Sequence, residues 1–470
     1  MNSQRINAPV GTELIARLDA VPLSKPHRRI RLLGGLGYLF DTFDGTLMGY
    51  AMAIVIALWH LEESLAGWLL ASVFFGYFVG ALLAGVLADR FGRRLLMMLA
   101  LMIFTIFSVL MATSTDPTQL FVWRMLSGIG LGAESVLVTP YLAELVPARH
   151  RSTFLGRTVA FFGYGGVLAG IVAVFVIGPV ADTWWGWRIA GVIAAVPVLL
   201  LIALRRKLPE SPRFLVSKGR VDEARAIVER FEREAGADAP DSTIDVPPTA
   251  ADAPATTPIA SGSHGRIRDL FVNGMGRRTA VIWLMWFTLT GVNYGFTSWM
   301  VNMLIVAKGF SIGSSLLFAL VTSIAQIPGY LLAAWLVGRF EKKWVIAAFA
   351  AAAALSALGV ALAPDTILLL LFASCLAAFI NGAAAAYYPY TAEQYQTSIR
   401  TTGVGFASAV GRIGAIVSPI AIGYAFGAFG FTAVFLGLVV VLLSAVTVVA
   451  VLGVRTRGRT LEDITAEILS

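Results

Sequence analysis

Gly85-Val-Leu-Ala-Asp-Arg-Phe-Gly-Arg-Arg94 is a short charged stretch that joins two long apolar runs, 66–87 and 95–113. A weaker copy, Val337-Gly-Arg-Phe-Glu-Lys-Lys343, joins two further apolar runs late in the chain. In this copy a glutamate replaces the second glycine, and lysines replace two arginines. Two copies of one charged hinge predict a protein built from two similar halves.

A single offset relates the two halves. Arg90 and Arg339 are 249 positions apart (339 minus 90). An offset that holds without a gap across two separate connections indicates a duplication. The same offset relates Pro140, Glu144 and Arg151 to Pro389, Glu393 and Arg400.

The composition is that of a membrane protein. Of the 470 residues, 57% are hydrophobic and 14% are charged, whereas soluble chains have about 45–50% and about 25%. The single cysteine, Cys375, excludes a disulfide framework. The net charge of +8 does not indicate a nucleic-acid partner, because the positive residues lie in the connections between apolar runs. The polar N-terminus lacks the apolar core of a signal peptide.

The apolar runs predict spanning helices, which need about 20 residues each. Lipid offers no partner for open backbone groups, so the predicted fold is all-α, with two pseudo-symmetric six-helix bundles. With the N-terminus inside, 31 of the 36 Lys and Arg residues fall in cytoplasmic segments, which places both termini in the cytoplasm. The twelve predicted transmembrane helices are 32–58, 66–88, 95–113, 119–141, 153–179, 187–204, 279–303, 313–337, 344–362, 367–388, 401–426 and 431–453.

The connections complete the predicted domain organisation. The long connection opens with a basic run, and apolar residues on one face of 221–234 predict a short amphipathic helix there. A polar stretch rich in Ala, Pro and Thr then predicts a flexible linker. The predicted divisions are a cytoplasmic segment 1–31, an N-terminal half 32–204, a cytoplasmic loop 205–278, a C-terminal half 279–453 and a cytoplasmic tail 454–470.

The sequence resembles the major facilitator superfamily over nearly its whole length. The hinge at 85–94 carries the resemblance, together with Pro209-Glu-Ser-Pro-Arg-Phe-Leu215 and Gly458-Arg-Thr-Leu-Glu-Asp463, which resemble sugar porters and metabolite:proton symporters. The segment Leu39-Phe-Asp-Thr-Phe-Asp44 is more similar to the metabolite symporters. The resemblance implies a transporter with alternating access between the two six-helix halves. We expect a monomer in the plasma membrane, the inner membrane of a bacterium.

The charged residues at the hinges predict a cytoplasmic latch. Guanidinium groups can bind carboxylates and helix C-termini, and a network that forms in one state and breaks in the other gives the halves two positions. The alternative is that these charges only anchor loops and set topology. The predicted gating residues are Asp89, Arg90, Gly92, Arg93, Arg94, Glu144, Arg151, Arg339, Glu393 and Arg400.

Ionisable residues inside spans are costly, so a functional role is the first hypothesis for each. Asp41 and Asp44 lie near the middle of the first span, and their spacing puts both on one face. Two neighbouring carboxylates resist joint ionisation, so one of them can carry a proton. The resemblance to sugar porters implies that Asp41 is the proton-coupling aspartate and Arg124 its partner. The alternative is a static ion pair between the first and fourth spans.

Two further buried charges remain. Glu134 fits a second proton site, a substrate contact or a structural partner of Arg157. Arg412 has no obvious acidic partner within the spans of its own half, which favours an anionic substrate; the alternative is a pair with an N-half acid. Aromatic walls with few polar groups suit a small organic acid. The other predicted substrate-binding residues are Asn293, Tyr294, Asn381, Tyr387, Tyr388, Phe161 and Tyr164.

The predicted function is secondary active transport, by proton symport, of a small organic acid or related metabolite, with an aromatic acid as one possibility. The alternatives are a proton-driven drug or metabolite exporter, a sugar or polyol porter, and a membrane sensor on a transporter scaffold. The chain has no metal motif and no nucleophile–base spacing in its spans, which argues against an enzyme and against a cofactor. It has no phosphate-binding loop, so ATP is not the predicted energy source.

Overall fold

A computed structural model of the chain describes residues 3–147, 150–159, 161–206, 208–235, 267–272, 274–395 and 399–455. The described residues form helices and no strand. The predicted linker and most of the predicted tail lie outside them, as do the side chains of Asp89 and Arg400. The α-helices are α1 (Ser3–Ala20), α2 (Lys25–Leu58), α3 (Glu63–Phe91), α4 (Arg93–Met111), α5 (Pro117–Leu145), α6 (Arg151–Val159), α7 (Phe161–Val172), α8 (Arg188–Arg205), α9 (Pro212–Ser217), α10 (Val221–Ala235), α11 (Met275–Lys308), α12 (Ile312–Arg339), α13 (Lys342–Leu362), α14 (Thr366–Glu393) and α15 (Arg400–Thr447).

The outer surface of the helices is apolar. Large side chains such as Phe175, Leu331, Leu355 and Ile367 are between 67% and 80% exposed. A continuous apolar surface of this kind requires a bilayer around it, because a soluble chain keeps such patches small. Among the described residues, nine helical segments are long and apolar enough to cross a membrane. The chain is a membrane protein, and the secondary structure of its described residues is all helical.

The duplication is visible in the helix caps. Asp116 precedes α5, and its carboxylate accepts a hydrogen bond of 3.0 Å from the backbone N–H of Gln119. Asp365 precedes α14 and accepts one of 2.9 Å from the N–H of Leu368. Each carboxylate satisfies one of the open donors at a helix N-terminus. The two caps are 249 positions apart (365 minus 116).

The same offset recurs in ion pairs at the two hinges. Arg93, at the start of α4, lies 3.5 Å from Glu144 at the end of α5. Lys342, at the start of α13, lies 2.9 Å from Glu393 at the end of α14. The basic and acidic members of the pairs are both 249 positions apart (342 minus 93, 393 minus 144). Each pair joins two helices of the same half.

The two hinges differ in backbone conformation, which explains why the second copy is degraded. Gly92 is the single residue between α3 and α4 and has φ 99° and ψ 153°, a region that only glycine occupies readily. Glu341, at the equivalent position, has φ −63° and ψ 124°, which any residue adopts. The second hinge therefore has no requirement for glycine.

Gly92→Ala is expected to destabilise the protein, because alanine pays about 1–3 kcal/mol of backbone strain at this φ and ψ. Its Cβ would also lie 2.6 Å from Oε2 of Glu210. Gly338→Ala is the matched control, since Gly338 has no positive φ and no atom within 4 Å of the added Cβ. The thermal unfolding midpoint in detergent checks this. Equal midpoints for the two variants would contradict it.

Three helices outside the spans form a small module beside the first half. Leu14 and Leu18 of α1 are each 2% exposed, and Leu14 packs against the loop helices α9 and α10. Arg17 of α1 donates two hydrogen bonds, of 3.0 and 2.7 Å, to the carboxylate of Glu232 in α10. This bond raises the pKa of the Arg17 guanidinium. Asp19 lies 3.8 Å from Arg151, so the module contacts the start of α6.

Helices α3 and α5 approach so closely that their backbones touch. A Cβ built on Gly76 or Gly80 of α3 would overlap the backbone of α5. A Cβ on Gly128 or Gly132 of α5 would likewise overlap α3, and Gly132 lies against the backbone of Tyr77. Glycines at a spacing of four residues allow this packing in membranes. The contact fixes the position of Tyr77 in the middle of α3.

The two halves meet at the end opposite to Gly92, which we call the far end. A Cβ on Gly67, near the start of α3, would lie 2.7 Å from the carbonyl oxygen of Pro419 in α15. The hydroxyl of Tyr50 in α2 is 3.0 Å from the hydroxyl of Ser323 in α12. Beyond these contacts, α15 has a kink at Gly430, where φ is 75° and ψ is −174°.

Candidate functional site

A chain of hydrogen bonds crosses between the halves near the middle of the spans. Arg412 of α15 donates one hydrogen bond of 2.9 Å to the hydroxyl of Tyr77 and another of 2.9 Å to the hydroxyl of Tyr294 in α11. The hydroxyl of Tyr77 in turn donates to Asp41 of α2, at 3.3 Å. The guanidinium also lies 3.9 Å from the centroid of the Tyr77 ring. The structure therefore brings the predicted residues Asp41, Arg412 and Tyr294 together.

Tyr77 was not predicted from the sequence. It lies in an apolar run, where a lone tyrosine is indistinguishable from a packing or interfacial residue. The glycine spacing in α3 and α5 was the available sequence signal. It predicts close packing of the two backbones, which forces the side chains beside the glycines, such as that of Tyr77, to one side.

The predicted pairing of Arg124 with Asp41 is wrong. Arg124 is the positive charge that acts on Asp44, and Asp41 faces Arg412 and Tyr77 instead. Arg124 donates to the hydroxyl of Ser72 at 3.2 Å, and in the described part of the chain no direct ion pair joins it to either aspartate. The two aspartates share a helix face, but different cations act on them.

Asp44 is the more deeply buried of the two aspartates. It is 3% exposed, and its Oδ1 atom has no hydrogen-bond partner among the residues that the structure describes. A buried carboxylate oxygen without a partner favours the protonated, neutral form. Asp44 is therefore a second candidate for carrying a proton.

The predicted structural partner of Glu134 is wrong. Glu134 of α5 forms a buried ion pair with Arg205, the last residue of α8, and Arg157 is exposed. Arg205 also donates to the carbonyl oxygen of Leu33 in α2, at 2.9 Å. The sequence placed Arg205 in the loop, because an arginine at the end of an apolar run normally marks the interface. Here α8 extends to it, and the side chain is 1% exposed.

Aromatic side chains of α11 and α14 stand together in the second half. The ring centroid of Trp286 is 4.6 Å from that of Tyr387 and 4.7 Å from that of Tyr388. Tyr387 is 5% exposed and is 3.3 Å from the hydroxyl of Thr290. Tyr388 is 47% exposed and lies where the charge of Arg412 acts on it. Tyr388 therefore offers a ligand a free aromatic surface, and Tyr387 supports it from behind.

A polar group of the second half lies beside Tyr294. Asn381 of α14 accepts a hydrogen bond of 2.9 Å from the hydroxyl of Tyr330. It donates one of 3.3 Å to the side-chain oxygen of Asn293, which precedes Tyr294 in α11. The predicted residues Asn293 and Asn381 are thus in direct contact.

Phe161 and Tyr164 do not line this space, which corrects their assignment to the substrate site. Tyr164 is 55% exposed and shares an outward face of α7 with Leu168 and Ile171, at helical spacing. Phe161 packs on Gly35 of α2, where an added Cβ would lie 2.8 Å from its ring. The neighbouring Phe162 instead lies 4.7 Å from the ring of Tyr38, between centroids.

The predicted gating residues of the first half surround the turn at Gly92. Arg93 pairs with Glu144, and its guanidinium lies 5.2 Å from the ring centroid of Phe214. Glu210, which was not predicted, accepts hydrogen bonds of 3.2 Å from the backbone N–H groups of Arg93 and Arg94. A carboxylate at a helix N-terminus satisfies open donors and interacts favourably with the helix dipole. Glu210 therefore caps α4 and ties the loop to the hinge.

The remaining gating residues occupy separate positions. Arg94 donates to the carbonyl oxygen of Arg206, and Arg151 donates to that of Val146 at 3.3 Å. The guanidinium groups of Arg90 and Arg339 lie over their neighbouring rings, 5.3 Å from Phe91 and 4.0 Å from Trp335.

The chain is similar to one protein family and to several named transporters. The family model described as "Sugar (and other) transporter" matches residues 40–468. The niacin transporter NiaP of Acinetobacter baylyi is 34% identical over 454 residues, which cover 96% of this chain and 99% of the relative. The 4-hydroxybenzoate transporter PcaK of the same organism is 30% identical and covers 85% of each chain.

Among solved structures, the xylose transporter XylE of E. coli, in a partially occluded inward-open conformation, has a similar fold. Its TM-score is 0.73 at 20% identity, over 93% of this chain and 100% of the other. These findings confirm the resemblance to the major facilitator superfamily. The chain belongs to the sugar (and other) transporter family of this superfamily and is a membrane transporter, not an enzyme.

Proposed function

We propose that this transporter carries a small aromatic monocarboxylate, with niacin as the first candidate, and that it takes up its substrate together with a proton. The observation that supports this most directly is the environment of Arg412. Within the described part of the chain, Arg412 forms no direct ion pair with a carboxylate, and two neutral phenol hydroxyls hold it. Its charge is therefore available to a carboxylate of the substrate.

The surroundings of Arg412 favour a flat ring behind that carboxylate. Phe74 of α3 and Tyr294 of α11 have ring centroids 4.7 Å apart across the two halves, and Tyr388 is exposed nearby. Aromatic pairs of this kind bind planar rings by offset or edge-on contacts. The names of the two relatives, niacin and 4-hydroxybenzoate transporters, point to the same chemistry, a planar ring that bears a carboxylate.

We propose twelve spans with both termini in the cytoplasm. Nine segments satisfy length and composition in the described residues. One of them, Thr402–Leu452, has 51 residues, or about 75 Å of helix, which is enough for two crossings of a bilayer core of about 30 Å. Its kink at Gly430 is the point of division. Helices α11 and α8 complete the count. The basic connections support a cytoplasmic location for the hinge end, which is the end that carries Gly92.

The ion pairs at the hinges fit rigid halves that rock against each other. Arg93–Glu144 and Lys342–Glu393 each join helices of one half, so they keep a half intact while the other moves. The contacts between Gly67 and α15 close the far end. We propose that the hinge end of this conformation is open to the cytoplasm, and that transport alternates between this state and its opposite.

The transport assay that tests the proposal uses purified protein in proteoliposomes and four radiolabelled compounds: niacin, nicotinamide, 4-hydroxybenzoate and xylose. Niacin and nicotinamide form a matched pair, because they share a ring and differ in the carboxylate charge. We expect niacin uptake at least 10-fold above nicotinamide uptake, since a charge-assisted pair with arginine contributes about 1.5–3 kcal/mol. We expect accumulation of niacin only with an inward proton gradient.

The outcomes separate the parts of the proposal. Equal uptake of niacin and nicotinamide, or preferred uptake of xylose, would contradict an anionic aromatic substrate. Niacin accumulation that does not depend on the proton gradient would leave the substrate class intact and overturn symport. Accumulation driven by an outward proton gradient would identify an exporter.

A further inference from the structure

Tyr77 occupies a position that the proposed function does not yet explain. Its hydroxyl is bonded on both sides, as a donor to Asp41 and as an acceptor from Arg412, at 3.3 and 2.9 Å. Asp41 belongs to the first half and Arg412 to the second. One oxygen atom therefore connects Asp41, the candidate proton site of one half, to Arg412, the cation of the other half that we propose binds the substrate carboxylate.

The phenol hydroxyl carries a single proton, which gives the connection a direction. While Asp41 is ionised, the hydroxyl donates to it, and its lone pairs accept from Arg412. A hydrogen bond to an ionised group is about twice as strong as one between neutral groups. When Asp41 becomes protonated, the negative charge behind Tyr77 disappears, and the contact of Tyr77 with Arg412 weakens. A substrate carboxylate is then the anion that can compensate Arg412.

The other hydroxyl that accepts a hydrogen bond from Arg412, that of Tyr294, lacks this connection. Tyr294 accepts from Arg412 at 2.9 Å, and among the described residues its hydroxyl has no carboxylate partner. Protonation in the first half therefore does not reach Arg412 through Tyr294. The two tyrosines hold the same guanidinium, but among the described residues only the hydroxyl of Tyr77 is also hydrogen-bonded to a carboxylate.

Tyr77 is the hydrogen-bonded link between Asp41 and Arg412, and the charge of Arg412 also acts on Asp41 through space. Glu134 acts on Asp41 from α5, but it is paired with Arg205. Asp44 lies on the same helix as Asp41, and Arg124 acts on it. The titratable and charged groups that face Asp41 are Tyr77, Arg412, Glu134, Asp44, Tyr38 and Tyr388.

We propose that Tyr77 is the positioning residue that couples the two ligands: its hydroxyl makes the release of Arg412 to a substrate carboxylate depend on proton occupancy at Asp41. The inference rests on the proposed function. By linkage, substrate binding then favours proton uptake by the same factor by which protonation favours substrate binding.

Tyr77→Phe tests the inference, because it keeps the ring under Arg412 and removes the hydroxyl alone. In proteoliposomes we expect the gradient-driven accumulation ratio of niacin to fall at least 10-fold, while counterflow exchange of niacin falls much less. Tyr294→Phe is the matched control, since it removes the other hydroxyl on the same guanidinium. We expect it to weaken apparent niacin affinity and to keep gradient-driven accumulation.

A binding measurement covers variants that transport poorly. Proton uptake on niacin binding is recorded with purified protein in weakly buffered detergent solution. Wild type is expected to take up protons as it binds niacin, and Tyr77→Phe to bind with at least 3-fold less proton uptake per niacin bound. Failure of Tyr77→Phe to bind niacin at all would contradict the inference, because the retained ring and cation should still bind it.

Two results overturn the inference alone. One is a Tyr77→Phe variant that accumulates niacin as wild type does. The other is a Tyr294→Phe variant that uncouples to the same extent, since both hydroxyls would then act only by holding Arg412. Failure of wild type to take up any aromatic carboxylate would instead overturn the proposed function.

Discussion

Arg412→Gln is expected to weaken the apparent affinity for niacin about 30-fold or more. The reason is that truncating one partner of a buried, hydrogen-bonded charge pair costs about 2–5 kcal/mol, and 1.4 kcal/mol is a factor of ten. Glutamine keeps a donor near Tyr77 and Tyr294 but removes the charge that a carboxylate requires. The measurement is competition of unlabelled niacin against radiolabelled substrate in proteoliposomes.

Arg412→Lys is the matched control for this variant. Lysine keeps the charge but loses the planar fork that the two tyrosines hold, so an intermediate loss of about 10-fold is expected. Retained niacin affinity in Arg412→Gln, together with a lower unfolding temperature, would contradict a substrate role. It would favour the alternative in which Arg412 is a structural partner of an N-half acid.

The fold was largely predictable because its signals are periodic and redundant. The duplication could be read from sequence offsets alone, and the structure repeats that offset in helix caps and in the pairs Arg93–Glu144 and Lys342–Glu393. A long apolar run predicts a helix in lipid, because no other single open segment satisfies its own backbone hydrogen bonds there. The sequence could not show that Gly92 needs a positive φ and Glu341 does not, because backbone angles depend on the local turn.

The site was harder to predict, because partners across helices depend on rotation and depth. Arg124 was assigned to Asp41, but it acts on Asp44. Each residue along α2 turns the side chain by about 100°, so the rotation of the helix determines which aspartate faces Arg124. Phe161 and Tyr164 were assigned by type. The helical spacing of Tyr164, Leu168 and Ile171 predicts that they share one outward face of α7. Residue type alone is therefore a poor guide to which aromatic side chains line the substrate site.

The buried pair Glu134–Arg205 leads to the prediction with the largest expected effect on stability. Glu134→Gln should destabilise the protein by about 3–5 kcal/mol, because it leaves the buried guanidinium of Arg205 without a countercharge. The hydrogen bond from Arg205 to the carbonyl oxygen of Leu33 would remain and does not neutralise that charge. The unfolding midpoint of purified protein in detergent is the measurement.

A double variant separates a structural role of Glu134 from a role in proton coupling. Replacing both partners, Glu134→Met with Arg205→Met, removes the unpaired charge and fills the space between α5, α8 and α2 with apolar atoms. Such replacements of buried ion pairs are often neutral or stabilising. We therefore expect the double variant to regain most of the lost stability and to retain gradient-driven accumulation of niacin per folded molecule. A double variant that is stable, exchanges niacin and no longer accumulates it would make Glu134 a proton site, and Asp41 would then not be the only acid that couples transport to the gradient.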